Sequence, residues 1–371
     1  MSALFTPLTF NRGPAMKNRF MLAPLTNQQS HEDGICSDDE YNFLTKRAEG
    51  GFGLTMTCAA HVQEQGKGFP GQLGIFSDVH LPGLTRLAKS LKENDSIAIV
   101  QLYHGGMRCP KEVIGVQPLC ASDNEKWGAR AMTTEEVEGM IEAFICAGQR
   151  AEKAGFDGVE LHGAHGYVLA QFLSPEINKR TDRFGGSLAN RQSPIFEIIE
   201  GIRARCGKDF MIGVRLSPER FGMHLQEVID TAERLLKDDQ IEFLDMSMWD
   251  VFKEAEDEAH KGQSLLSYFT QLERNNVRLG VAGKLRDPEQ MVRALEEGVD
   301  WVMLGRAAIL HHNYPALMQA DTNFTPVELP VSPEHLQNEG LSQTFVDYMK
   351  AWKGFVQGAD GFVDNDVILN S

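Results

Sequence analysis

The sequence is thin in the features that mark several large protein classes. Its 371 residues hold six cysteines, Cys36, Cys58, Cys109, Cys120, Cys146 and Cys206, and no two stand in a C-x-x-C spacing. A structural zinc or iron–sulfur centre therefore lacks its usual ligand pattern, and thiols scattered this way point to a reducing compartment. No run approaches the ~20 apolar residues of a membrane span. The opening MSALFTPLTF has neither the basic start nor the long apolar core of a signal peptide, so a cytoplasmic location is expected. Basic charge is also short. Lys and Arg number 36 against 52 Asp and Glu, a formal net charge of -16. Such a surface repels phosphate backbones and anionic membranes, so neither nucleic acid nor a membrane is an expected partner. Internal repeats and low-complexity tracts are missing as well.

What the sequence does have is a recurring alternation. Short, nearly continuous apolar runs rich in β-formers occur at 19–23, 54–58, 97–102, 158–161, 211–216, 243–247, 278–282 and 301–304. Strands buried on both faces read this way, as they do in a parallel sheet covered by helices. Between the runs lie helix signals. Ser37 precedes three acids and Gly50-Gly51 follows; Thr134-Glu135-Glu136 opens a second segment that ends near Gly155; Asp287-Pro288-Glu289 opens a third with Gly298 past its end. Eight such βα pairs predict an α/β fold, a (β/α)8 TIM barrel over residues 1–321. A doubly wound open sheet is the alternative, weakened because no G-x-G-x-x-G follows the first strand. Residues 103–133 form a long loop after the third strand. Residues 322–371 form a C-terminal extension with a predicted helix over 342–355, whose Phe345, Tyr348, Trp352 and Phe355 share one face. That face is expected to pack on the chain's own barrel, with a partner subunit, hence a homo-oligomer, as the sharper alternative.

Barrel enzymes place their chemistry at the C-terminal ends of the strands. There this sequence supplies Pro24-Leu25-Thr26, then Gln101 and His104, then His162 to Tyr167, then Arg215, then Gly283-Lys284 and Gly305-Arg306. Plainer readings exist: Gln101 and Arg215 could satisfy each other, and the glycines could be turns. His162 and His165 could ligate a metal in a barrel hydrolase, although no third ligand stands close by, Asp157 and Glu160 lying on or before the strand.

The block LHGAHGYVLAQFLSPEINKRTDRFGGSLANR at 161–191 resembles the signature of the Old Yellow Enzyme family. MLAPLT at 21–26, QLYHGG at 101–106, GVRLSP at 213–218 and VMLGRAAI at 302–309 follow the family's order. The resemblance implies an FMN-containing barrel that takes hydride from NAD(P)H and reduces activated alkenes such as enones, enals, maleimides and nitroalkenes, with both ligands using one pocket in turn. It places Pro24, Leu25, Thr26 and Ala59 beside the flavin ring, Gln101 at its pyrimidine edge and Arg215 at N1, where a cation stabilises the reduced form. Gly283, Lys284, Gly305 and Arg306 would hold the phosphate. His162 and His165 would donate to the substrate's carbonyl or nitro oxygen, and Tyr167, a phenol protonated at neutral pH, would protonate the α-carbon. Arg180 to Arg191 reads as a structural loop, and substrate walls are expected from 103–133 and 249–258. A second glycine common two residues before Gly305 is Met303 here, and no Arg follows Arg306 to serve a neighbouring active site. A non-catalytic flavin-binding protein is the remaining alternative, against which Tyr167 and both histidines speak.

Overall fold

The computed structural model describes residues 2–363. Eight parallel strands close into a barrel in the chain's own order: β1 Phe20–Leu22, β2 Leu54–His61, β3 Ile97–Tyr103, β4 Gly158–Gly163, β5 Met211–Leu216, β6 Phe243–Ser247, β7 Arg278–Ala282 and β8 Trp301–Leu304. β8 pairs with β1 from Phe20↔Val302 to Leu22↔Leu304, which seals the cylinder. Helices cover the outside: α1 Asp38–Glu49, α2 Leu81–Glu93, α3 Thr134–Lys153, α4 Ser193–Arg205, α5 Leu225–Lys237, α6 Ser267–Thr270, α7 Pro288–Glu296 and α8 Arg306–Leu310. The sixth is a single turn, so the loop from β6 stands in for most of a helix.

Local chemistry accounts for these elements. Ser37 Oγ accepts from Glu40 N at the start of α1. Thr133, one residue before the predicted start, caps α3 in a reciprocal pair with Glu136. Along α5 the buried Leu225, Val228, Ala232, Leu235 and Leu236 fall on one stripe. Two large apolar regions result, beside a small one of Met107, Cys120 and Ala129 in the 103–133 loop. One lies between strands and helices. The other fills the lower barrel with Met21, Leu54, Met56, Met211, Phe243 and Trp301, and Phe10 closes it from below, 5.9 Å from the Trp301 ring and 6.5 Å from that of Phe243. With the N-terminal mouth plugged, the open end is the C-terminal one.

The C-terminal extension lies against the barrel. Phe345 meets Phe43 of α1 edge to face at 5.2 Å, and Ser342 N donates to Gln29 Oε1 at 3.0 Å. Its last helix runs only Gln343–Lys350, shorter than the predicted 342–355. The carbonyl of Ala351, which a longer helix would bond to Phe355, instead accepts from Phe362 N and Val363 N as the chain turns back. Phe345 and Phe355 are buried while Tyr348 and Trp352 are partly exposed. Residues 364–371 of the predicted extension lie outside the described residues. Among the described residues no helix is long and apolar enough to cross a membrane.

Candidate active site

Every sequence-predicted site residue stands at the C-terminal mouth of the barrel. β1 leads into half-buried Pro24-Leu25-Thr26. An irregularity in β2 between Met56 and Ala59 brings Ala59 opposite Gln101 of β3. Ala59 is the one residue of its strand that is not fully buried. β7 and β8, which are hydrogen-bonded neighbours, end in Gly283-Lys284 and Gly305-Arg306. Gly283 has a φ of +152°, and a Cβ there would come 2.9 Å from the Trp249 carbonyl carbon. Only glycine fits that conformation beside the β6 loop. At Gly305 a Cβ would lie 3.3 Å from Leu25, which joins the β8 end to the β1 end across the barrel seam.

Gln101 and Arg215 do not satisfy each other. Gln101 Nε2 donates to Glu160 Oε1 at 2.6 Å, and Arg215 Nη2 donates to Ser247 Oγ at 3.3 Å. One of the two Gln101 amide hydrogens is thus committed to Glu160, which leaves the carbonyl and the second N–H for a ligand.

The histidines form a chain. Ala164 N donates to His162 Nδ1 at 3.3 Å, which puts the His162 proton on Nε2. That nitrogen lies 3.3 Å from His165 Nδ1, and His165 Nε2 lies 2.6 Å from Ser247 Oγ. One tautomer satisfies the whole series: His162 Nε2–H to His165 Nδ1, then His165 Nε2–H to Ser247. Burial first, and the charge of Arg215 next, hold both rings well below the ordinary histidine pKa, so both are neutral at physiological pH. His165 reaches this position through a left-handed backbone, φ 57°, a conformation that costs energy in a non-glycine residue.

Tyr167 lies across this pair. Its ring centroid is 5.0 Å from that of His162 and 4.5 Å from that of Tyr103. The Arg108 guanidinium stands 5.2 Å from the Tyr167 ring centroid and donates to His165 O at 2.6 Å. Tyr103 is buried, and desolvation, then the neighbouring Tyr167, push its phenol well above the ordinary range. The loop 103–133 is ordered around a two-stranded parallel sheet, Leu119–Cys120 with Arg130–Ala131. It is pinned by Arg180, whose Nη1 donates to Ala121 O and Met132 O while Nε and Nη2 hold Asp182. Arg180 therefore ties the 180–191 segment to this loop.

Four participants escape sequence reasoning. Ser247 ends β6, where Met246 and Met248 flank it and no motif calls attention to it. Tyr103 lies inside a run already noted, two residues past Gln101 and therefore on the same face. Arg108 hides in a loop of ordinary composition. Asp245 sits inside an apolar strand run, and only its pairing with Arg215 across β5 and β6 shows its relevance. Among the described residues no group of three His, Cys, Asp or Glu side chains converges as a metal site, so the hydrolase alternative finds no donor set at His162 and His165.

A profile of the NADH:flavin oxidoreductase / NADH oxidase family matches residues 3–323. A probable NADH-dependent flavin oxidoreductase of Bacillus subtilis is 36% identical over 322 residues, covering 84% of this chain and 86% of its own. An NADH:acrylate oxidoreductase of Vibrio harveyi is 33% identical over 328 residues, 84% of this chain, but the match spans only 32% of that longer protein. Among solved structures, an old yellow enzyme homologue from Zymomonas mobilis superposes with a TM-score of 0.78 at 26% identity, covering 93% of this chain and 99% of its own. Morphinone reductase in complex with tetrahydroNAD gives 0.75 at 25% identity, covering 90% and 94%.

Proposed function

The chain belongs to the NADH:flavin oxidoreductase / NADH oxidase family, the Old Yellow Enzyme group, and from that premise we propose that it binds FMN and uses NAD(P)H to reduce the C=C bond of activated alkenes. One observation carries the reading: Tyr167, His162, His165, Arg215 and Gln101, supplied by β3, β4 and β5, stand together at the single open mouth of the barrel.

The residues present fit FMN. Gln101 offers its carbonyl and one remaining N–H to the ring's pyrimidine edge, while Glu160 holds its other amide hydrogen. Arg215 Nε is buried and has no hydrogen-bond partner among the described residues, a donor in wait of an acceptor. Gly283 and Gly305 keep the ends of β7 and β8 clear, and Lys284 and Arg306 add charge beside them, a setting for one phosphate. When bound, FMN supplies a two-electron carrier between nicotinamide and alkene.

The chain's own residues supply the rest. Thr26 would donate its hydroxyl to the flavin, and Arg215 would stabilise the negative charge of its reduced form. The substrate's carbonyl or nitro oxygen accepts from His162 Nε2–H, and from His165 once its proton moves to Nδ1 and its Nε2 accepts from the Ser247 hydroxyl instead. The histidines' mutual 3.3 Å contact is long for an N–H···N bond, so exchanging it for a bond to substrate costs little. Because both rings are neutral, they polarise the oxygen without giving it a proton. Tyr167 then delivers its phenolic proton to the α-carbon.

Three measurements test this. Mass spectrometry of the released cofactor should find FMN. NADH or NADPH should bleach the yellow protein under anaerobic conditions, and an enone should restore the colour. FAD as the main species, or a protein that stays colourless after incubation with FMN, would defeat the proposal.

A further inference from the structure

Beneath the mouth lies a group of ionisable side chains that the reading above does not use. Glu160 of β4 and Asp245 of β6 are both completely buried. Gln101 Nε2 satisfies Glu160 Oε1, but Glu160 Oε2, both oxygens of Asp245 and Arg215 Nε find no hydrogen-bond partner among the described residues. The register explains how they meet. Gln101 is the partner of Glu160 across β3 and β4, Gly213 of β5 is the partner of Glu160 on the other side and carries no side chain, and Arg215, two residues on, is the partner of Asp245 across β5 and β6. Partners in a sheet share a face, here the barrel interior. On the far side of Asp245, β7 presents Gly280, where a Cβ would fall 2.2 Å from Asp245 Oδ1 and 2.4 Å from Trp301 Nε1. The missing side chain is the space that the carboxyl and the indole N–H occupy together.

Two ionised carboxylates in this setting would face each other out of reach of water, with Arg215 as their cation. Like charges this close do not both ionise. Burial first, and the charge of Glu160 next, push the Asp245 carboxyl far above the ordinary carboxylate range, with Arg215 opposing. We propose that Glu160 and Asp245 hold one proton between them, and that the single negative charge of the pair is the counterion of Arg215, which limits how strongly that guanidinium favours reduced flavin over oxidised. The two are positioning residues that act through Arg215 and Gln101; the shared proton stays where it is and no co-reactant is needed. The inference rests on FMN lying against Arg215 and Gln101, as proposed above.

A shared proton has a signature in variants. In Asp245→Asn the remaining Glu160 stays ionised. In Glu160→Gln the like charge is gone and Asp245 ionises beside Arg215. Either way one negative charge remains, so the flavin midpoint potential of each holoenzyme should match wild type. Only the double variant removes the charge. It should shift the balance of affinities toward reduced flavin by at least ~10-fold, which is about 30 mV for a two-electron couple. Two single variants that each move the potential by half the double-variant shift would mean independent carboxylates and overturn the proposal, as would an unmoved double variant.

Infrared spectroscopy tests the proton itself and needs no flavin. Wild type at about pH 9 should keep a protonated-carboxyl band that shifts in D2O, and the band should vanish in either single variant. Its absence from wild type, or its survival in Asp245→Asn, overturns the shared proton. The wild-type spectrum decides the matter even where an amide variant fails to fold. A preparation that takes up no flavin would instead count against the FMN reading, and the band would still decide the proton.

Discussion

Replacing Tyr167 by Phe removes one oxygen and leaves the surroundings intact. The ring keeps its contacts with Tyr103 at 4.5 Å and His162 at 5.0 Å, and Val168 N still donates to His104 O, so the loop should hold its shape. The hydroxyl's proposed task lies in one half-reaction only. Electron transfer from NAD(P)H to FMN requires no proton from Tyr167, and anaerobic bleaching should stay within a few-fold of wild type. Reoxidation by an enone needs a proton on the α-carbon. A positioned acid is worth typically 10²–10⁴-fold, so this step should slow by ~100-fold or more, about 2.7 kcal/mol in the barrier. The neighbouring phenols are poor deputies: burial, then Tyr167, makes Tyr103 hold its proton tightly and pushes Tyr348 up to about 12. Tyr103→Phe should therefore cost less than ~10-fold on the scale of acid catalysis. A nitroalkene should still reoxidise Tyr167→Phe at a useful rate, because its nitronate product is a stable anion that can take a proton from water. Stopped-flow absorbance separates the two steps. An unchanged enone step in Tyr167→Phe would refute the assignment and move the proton source to solvent or another side chain.

Three further outcomes are expected. Arg306→Ala removes the proposed charged phosphate contact, worth about 1.5–3 kcal/mol, so it should weaken FMN retention by roughly 10-fold or more; FMN content after dialysis measures this, and a fully loaded variant would show that backbone groups suffice. Acid should destabilise the fold through three buried histidines and the half-buried His165: burial lowers His61 to about 4 and His104 to about 3, and His162 and His165 also lie well below the ordinary value. The unfolded chain takes up these protons as pH falls through ~6.5 while the native state does not. Stability is therefore complete above that pH and falls toward pH 4, by up to roughly 1.4 kcal/mol per pH unit for each ring. Urea melts across this window should show the slope, shallower by one proton in His104→Gln, and a flat profile would contradict it. Gly213→Ala would put a Cβ 1.9 Å from the Phe243 ring. Overpacking of this kind costs about 1–3 kcal/mol, and a wild-type urea midpoint would disprove the clash.

The architecture was open to reading because parallel strands are buried on both faces and leave unbroken apolar runs. Four of them, Met211–Leu216, Phe243–Ser247, Arg278–Ala282 and Trp301–Leu304, have the observed bounds. β2, β3 and β4 run further than their apolar stretches, into His61, Tyr103 and His162-Gly163. A strand in this barrel turns polar where it reaches the mouth, so a rule that ends strands at polar residues clips them where the chemistry begins. The aromatic stripe of 342–355 misled in the opposite direction. Its spacing suits a helix throughout, but the returning chain takes the Ala351 carbonyl, and the helix ends at Lys350.

The candidate site divides in a similar way. Tyr167, His162, His165, Arg215 and the glycines after β7 and β8 were legible, because each sits at a fixed offset from a strand that the apolar pattern locates. The sequence alone thus determined the barrel and which end of it carries the chemistry. The partnerships needed the tertiary structure: Gln101 with Glu160 and not Arg215, His165 with Ser247, Tyr103 against Tyr167, Asp245 beside Arg215. Each joins residues far apart in the chain, and which side chains meet inside a closed barrel depends on the stagger between neighbouring strands. A one-residue slip turns a side chain from the inner face to the outer. That stagger is fixed when the strands pack and close, by contacts summed over the whole cylinder, and no local stretch of sequence encodes it.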